Sequence, residues 1–502
     1  LQDSLKFFAA KARFNIRTNV IRAEEVRIIK VADAAIYPDS GKVVIFKDAQ
    51  MQPLSRAMVI ANTKNRQHQF YNANLSIASR KNYTGNGDLD YIDRTGERQK
   101  IHFSGIRVDS AIQTVAEGII SDSAHFVLSP EFAFKGDVQL AASEKFMHFD
   151  GGFHPITDCI RQKPEWIRFN GTINPGRVQI PVVFPLRNLS NEPANLGLMF
   201  SNTDGRIIPS FFWRKLSFSD TTIVTAQGFV EYNIPTTEFR IASPEKLNNL
   251  AALGNFLALN TTNCMVRGEG KLNLGLNSEH LRMENWGTFD YFILPDSSRI
   301  HLSVAMNFPF SVEGLQKFSD QVESVNLPGV NLMKTPYSMV LDRLMNPQEA
   351  ERLKNEMELM GKYKKFPEIL ERTLFLADVW MKWDTASRSY VSYGNIGIAN
   401  IGKNQVNKYV KGILEFTKKR NGDEFTLYFE LTRDDWFYFN YRGRTLVALS
   451  SDLAFNDLIR AAAQSKQEQK RVSHLAKGFV YSLATERKKR DFLRKFISED
   501  AE

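Results

Sequence analysis

Between residues 26 and 184 short apolar runs alternate with polar positions and stop at turn residues, the period of two expected of half-buried strands. Val43-Val44-Ile45-Phe46, Met58-Val59-Ile60, Leu75-Ser76-Ile77 and Val138-Gln139-Leu140 are such runs. Several segments place a Phe two positions before a Gly: Phe103 and Gly105, Phe134 and Gly136, Phe149 and Gly151, Phe169 and Gly171. A glycine there offers the strand a positive φ for a bulge or corner. A longer signature occurs twice, as Gly85-Asn86-Gly87-Asp88-Leu89-Asp90-Tyr91 and Gly268-Glu269-Gly270-Lys271-Leu272-Asn273-Leu274. Each follows a strand of one type, Leu75-Ser76-Ile77-Ala78-Ser79 and Phe239-Arg240-Ile241-Ala242-Ser243. The spacing differs, so the pattern predicts a degenerate repeat in which each strand buries its apolar face on the next.

From Leu315 to Thr373 the period lengthens. Asn346-Pro347-Gln348-Glu349 reads as an N-cap with proline at the first helical position, and the helix it opens should run from Pro347 to Met360 and stop at Gly361. Leu374 to Ser450 then reads as an antiparallel meander. Asn421-Gly422 separates Ile413–Phe416 from a strand in which Phe425, Leu427, Phe429 and Leu431 alternate, and Arg442-Gly443 turns Trp436–Tyr441 into Thr445–Leu449. Asn456 to Ser498 lacks proline and predicts one or two amphipathic helices.

These changes of pattern divide the chain into 1–185, a stacked β-strand repeat region; 186–312, a second β region with the repeat resuming near 225; 313–373, a helical insertion or hinge; 374–451, an antiparallel β meander; and 452–502, a basic helical tail. The expected fold class is mainly β. It comprises an irregular stacked-strand, solenoid-like region plus a meander, with a helical insertion and a C-terminal helical tail.

Composition agrees with a folded β protein: 43% of residues are hydrophobic, 24% are charged and 37 are Phe. No run approaches 18 apolar residues, which argues against a membrane-spanning helix. The chain begins at Leu1 without a signal-like segment and reads as a piece of a longer protein. Cys159 and Cys264 are the only cysteines, too few for a disulfide framework and too far apart for a zinc or redox motif; whether they pair stays open. Of the net charge of +9, +7 falls between Lys466 and Lys495.

Candidate chemistry is sparse. His102, His125 and His148 each precede a Phe at a constant spacing of 23 residues. If one rung of the stack had that length, the three would form a ladder about 4.8 Å apart and could share a metal or an anionic ligand; a solvated outer face is the alternative that strand alternation favours. Asp88, Asp90 and Asp93 are carboxylates near a turn without the oxygen-ligand spacing of a calcium loop. Gly268-Glu269-Gly270 lacks the third glycine of a dinucleotide loop and is assigned to a bulge. No nucleophile elbow, catalytic-cysteine signature or zinc-protease helix occurs, so no catalytic residue, metal or cofactor is assigned. Trp380, Trp383, Trp436, Tyr438 and Tyr441 could form a sugar-stacking platform, Trp436 and Tyr438 foremost, or serve as core and cross-strand pairs. Arg487, Lys488, Lys489, Arg490, Arg494 and Lys495, interleaved with Phe479, Tyr481, Phe492 and Phe496, would attract an anionic surface; alternatively their helix docks on the meander through its aromatics. No recognition fold accompanies the charge, which argues against nucleic acid.

The repeated strand signature resembles that of large repeat-rich bacterial cell-envelope proteins, uncharacterised ones of Bacteroidetes type. The resemblance runs from Ala61-Asn62 through Leu128-Ser129-Pro130 and continues at Gly397-Ile398, Asn407-Lys408, Gly422-Asp423 and Ser450-Ser451. A looser similarity is to lipopolysaccharide-transport bridge proteins, whose stacked strands form an open groove for acyl chains. The resemblance implies a periplasmic or outer-envelope location, with other envelope proteins or an anionic envelope surface as partners. Together with the missing catalytic set, it leads to the expectation of a non-enzymatic structural or assembly protein. A polysaccharide-active enzyme on a β-repeat scaffold and a lipid or glycan binding or transfer module are the alternatives.

Overall fold

A computed structural model describes residues 5–160, 165–215, 217–276, 280–419 and 422–497. The protein is mainly β, with 50% of residues in strands and 17% in helices. It divides into two units. The first contains Leu1–Asn195 with Phe212–Lys215 and Gly228–Phe239; the second contains Leu196–Phe211, Leu216–Gln227 and Arg240–Glu502.

In the first unit an 11-stranded sheet follows the chain almost strand by strand, from Ile29–Val31 to Ile167–Thr172. The strands stack on their sequence neighbours as the repeat pattern requires, and they do so antiparallel. The connections can therefore be short turns, which accounts for the turn residues that punctuate the apolar runs. His68–Ser79 buries every second residue over most of its length, including His68, Phe70, Leu75 and Ile77.

The Phe and Gly of the recurring motif meet across strands. Phe149 lies opposite Gly171, Gly151 opposite Phe169, and Phe103 has Gly87 on one side and Gly118 on the other. Phe103, Phe134, Phe149 and Phe169 are all buried. The rings of Phe134 and Phe149 meet edge to face with centroids 5.1 Å apart, and Phe169 lies 5.6 Å from Phe134. The glycine thus leaves room over the backbone for the neighbouring strand's ring. Of the four motif glycines only Gly136 has a positive φ, 141°. It faces Gly151, and a Cβ on Gly136 would lie 2.6 Å from the Gly151 Cα. The expected bulge does occur beside Gly105, where the pairing with Thr114–Ile120 shifts register between Glu117 and Gly118.

The long glycine signature lies on two strands, Asn82–Ile92 in the first unit and Met265–Leu272 in the second. Leu75–Ser79 is the immediate partner of its copy, whereas the strand Glu238–Ala242 is separated from its copy by Phe256–Asn260. The two copies share a strand type and differ in surroundings.

In the second unit antiparallel strands run in sequence order from Phe256–Asn260 to Thr445–Ser450. The helical segment leaves this sheet after Ser297–Asn307 and returns to it at the neighbouring strand Arg372–Asp384, so it is an insertion between paired strands. Its last helix spans Pro347–Met360. The Asn346 side chain accepts from the Glu349 N–H at 2.9 Å, and Gly361 closes the helix in the left-handed conformation, φ 69°. Tyr337, Val340, Leu341, Leu353 and Met357 from the insertion pack on Trp286, Ala305, Phe375, Ala377 and Ala399 of the sheet. Lys408 Nζ donates to the carbonyls of Val322, Glu323 and Val325 at the C-terminal end of the Val312–Ser324 helix, where cations are favoured.

The hairpins of the meander appear where expected, with Glu424–Glu430, Trp436–Arg442 and Thr445–Ser450 as strands. Phe318 and Phe455 from two helices cover Phe437 and Phe439, while Phe492 from the last helix covers Tyr438. Helices account for most of the tail: Leu453–Gln464, Lys466–Leu475 and Glu486–Ile497. The tail also contains a strand that the helical expectation missed. Val480–Leu483 adds in parallel to Thr445–Ser450 after Gly478, φ 79°, breaks the helix. Tyr481, buried against Phe310, makes edge pairing more favourable there than another helical turn.

Candidate functional site

Strand alternation gives the second unit's sheet an outward stripe of polar and aromatic side chains. On Ser297–Asn307, Ile300 and Leu302 are fully buried, and Arg299 and His301 take the other face. Pairing aligns Arg267 with Asp290 and Asp290 with Arg299 in one row, and His301 with Trp380 and Trp380 with Tyr393 in the next. Register shifts on both sides of Asp378 interrupt the regular ladder, and bulges of this kind redirect a side chain. Asp378 and Tyr409 both lie opposite Gly397. A Cβ on Gly397 would sit 2.9 Å from the Asp378 Cβ and 3.3 Å from the Tyr409 ring, so the missing side chain is what lets the two meet.

His301 Nε2 is 2.6 Å from Asp378 Oδ1, and the Tyr409 hydroxyl donates to Asp378 Oδ2 at 2.5 Å. Trp380 lies flat on the His301 ring, centroids 4.0 Å apart and planes 7° from parallel. In the adjoining row Arg267 donates to both oxygens of Asp290, at 2.7 and 2.9 Å, and Arg299 adds a third bond at 3.0 Å. Burial pushes both carboxyls up, but these hydrogen bonds outweigh it and hold both below the ordinary carboxylate value. The Tyr409 phenol moves the other way, raised by burial and by its bond to the Asp378 carboxylate. At neutral pH the two acids are therefore ionised acceptors with their protein partners in place. Tyr393, 42% exposed, lies beside Trp380, and the Arg267 and Arg299 side chains of the stripe, 42% and 50% exposed, also reach solvent.

The histidine ladder does not assemble. His102 is on Arg98–Val108 and His148 on His148–Pro155, with Thr114–Ile120 and Phe132–Ala141 between them; His125 lies outside the strands in an exposed left-handed turn, φ 49°. His102 instead bonds Asp88 of the adjacent strand, Nδ1 to Oδ1 2.7 Å, and His148 approaches the Thr172 hydroxyl at 3.3 Å. Asp90 accepts from the Tyr71 hydroxyl at 2.6 Å, and burial with this bond pushes the phenol up to about 12. Asp93 closes its own turn by accepting from the N–H of Thr95 and of Glu97. Among the described residues no group of three or more His, Cys, Asp or Glu side chains is placed to hold a metal, and neither cysteine is a free thiol.

Most of the aromatic candidates face other side chains. Trp436 lies under the Lys489 ammonium, 3.3 Å from the ring centre, and beside Tyr428; Tyr438 packs on Phe492; Tyr441 stacks between Phe425 and Phe479; Trp383 meets Phe200 and Tyr390. Trp380 is the one that reaches the outward stripe. The basic helix is two-sided. Lys489 turns in to Trp436 and Lys495 to the buried Glu415, at 3.0 Å, while Arg487, Lys488, Arg490 and Arg494 face outward. His301, Asp378, Tyr393 and Tyr409 were not anticipated. The available signal was the polar alternation of Arg299 and His301 around Ile300, which marks a face without showing what covers it.

Fold and site together define a mainly β protein of two antiparallel units, one bearing a polar and aromatic stripe beside a helical insertion. Comparison with known proteins finds no matching family model, no similar curated protein and no similar solved structure.

Proposed function

We propose that the chain is a non-enzymatic structural or assembly protein of a bacterial cell envelope. The carrying observation is that the acids of the outward stripe have their oxygens engaged within the fold: Asp378 by His301 and Tyr409, Asp290 by Arg267 and Arg299. Glycoside hydrolysis by a pair of carboxyls needs one of them kept protonated as the acid, and both of these are shifted the opposite way. The envelope location, periplasmic or outer, rests on the resemblance of the strand signature. The outward Arg487, Lys488, Arg490 and Arg494 support contact with other envelope proteins or an anionic envelope surface. The test is incubation of the full chain with isolated envelope polysaccharide. Sedimentation with the envelope fraction and no release of new chain ends is the expected result; release abolished by Asp378→Asn or Asp290→Asn would overturn the proposal.

Glycan binding is a second reading, favoured by Tyr393 standing exposed beside Trp380. Saturable quenching of tryptophan fluorescence by envelope oligosaccharides, lost in Trp380→Ala, is its expected signature; an unchanged titration in that variant would remove it. Lipid transfer has less support, because Arg98–Val108 and similar strands put polar side chains outward and the opposite face is filled with aromatic rings.

A further inference from the structure

We infer that a cleft of about 410 Å³ in the second unit, formed by turns between strands, binds a phosphate group. Its size is that of a small-ligand site. Arg388, Lys418, Lys419 and Thr221 line it with one carboxylate, Asp423. Lys418, 13% exposed, already donates to Asp423 at 3.2 Å and to the Gly275 carbonyl and lies 5.1 Å from the Phe200 ring, which leaves its third N–H for a ligand; Lys419 pairs with Glu424.

Arg388 is different. Among the described residues its guanidinium has no carboxylate, hydroxyl or carbonyl partner. It lies against Gly205, where φ is 65° and a Cβ would collide with it. A guanidinium fork over bare backbone, two ammonium groups and the Thr221 hydroxyl place donors on several sides of one space. A phosphate has enough oxygens to use them all, whereas a carboxylate would satisfy the fork alone. This inference goes beyond the envelope proposal and does not depend on it.

Calorimetric titration of the full chain with inorganic phosphate at low ionic strength tests it, with acetate as the planar control. Saturable phosphate binding is expected, weakened at least about tenfold by Arg388→Ala, partly restored by Arg388→Lys, and weakened by added salt. Arg388 is in an exposed turn, so circular dichroism of the variants should match the parent. Two further arms separate the sources of phosphate. Binding of a soluble phosphomonoester but not of phosphatidic-acid vesicles supports a free phosphate ligand, and the converse supports a lipid headgroup. No saturable phosphate binding, affinity unchanged in Arg388→Ala, or acetate binding as tightly as phosphate would each overturn the inference.

Discussion

The His102–Asp88 pair of the first unit and the His301–Asp378 pair of the second use the same two side chains, across adjacent antiparallel strands, at 2.7 and 2.6 Å. They differ in what surrounds them. His102 is 57% exposed, and among the described residues Asp88 has Asn72, at 3.4 Å, and Lys100, at 3.9 Å, as further side-chain partners. His301 is 21% exposed under Trp380, and the second oxygen of Asp378 is taken by Tyr409. The two carboxylates are equally covered, each 12% exposed, so water reaches the first pair from the His102 side and has poor access to either side of the second. One His–Asp bond therefore opens to solvent on its imidazole side, while the other, with Tyr409, ties three strands together beside the helical insertion.

The largest expected difference is in Asp378→Ala, which leaves His301 and the Tyr409 hydroxyl without their acceptor and should cost about 3 kcal/mol. Urea unfolding read by the fluorescence of the tryptophans measures it; a shift no larger than that of Asp88→Ala would erase the distinction between the pairs. Tyr409→Phe removes a single bond to a charged acceptor and should cost about 1.5 kcal/mol in the same assay. The pH dependence follows from the lowered Asp378 carboxyl. A group whose native pKa lies below its unfolded value, 3.8, contributes stability that is complete above that value and lost as pH falls through the native one. Acid unfolding of Asp378→Asn should accordingly depend less on pH below about 4 than that of the parent chain; parallel curves would show that the carboxylate contributes nothing. Asp88→Ala should be the mildest change, under about 1 kcal/mol and smaller still in high salt. A loss as large as that of Asp378→Ala would mean that exposure does not rank these pairs.

His102 was among the candidates found by spacing, and His301 was not, because sequence spacing measures position along a strand and says nothing of the cover above it. The same limit applies to Trp436 and Trp380. Both lie in strands of similar composition, yet the ring of Trp436 is taken by Lys489 from a helix 50 residues later, while Trp380 stacks on the small His301 ring beside the exposed Tyr393.

By itself the sequence determined whatever depends on neighbours a few residues away: the alternation that makes strands, the Asn346 cap and Gly361 stop of the Pro347–Met360 helix, and the turns of the meander. These are local because a cap, a turn or a strand face is satisfied by its own backbone. Tertiary structure alone decided which faces meet. It set the Phe of one strand over the Gly of the next, drew Val480–Leu483 to a sheet edge, and brought Asp378, His301 and Tyr409 together across a bulge and a missing side chain at Gly397. Those contacts depend on register between segments up to 108 residues apart, and register is chosen by the burial of whole faces.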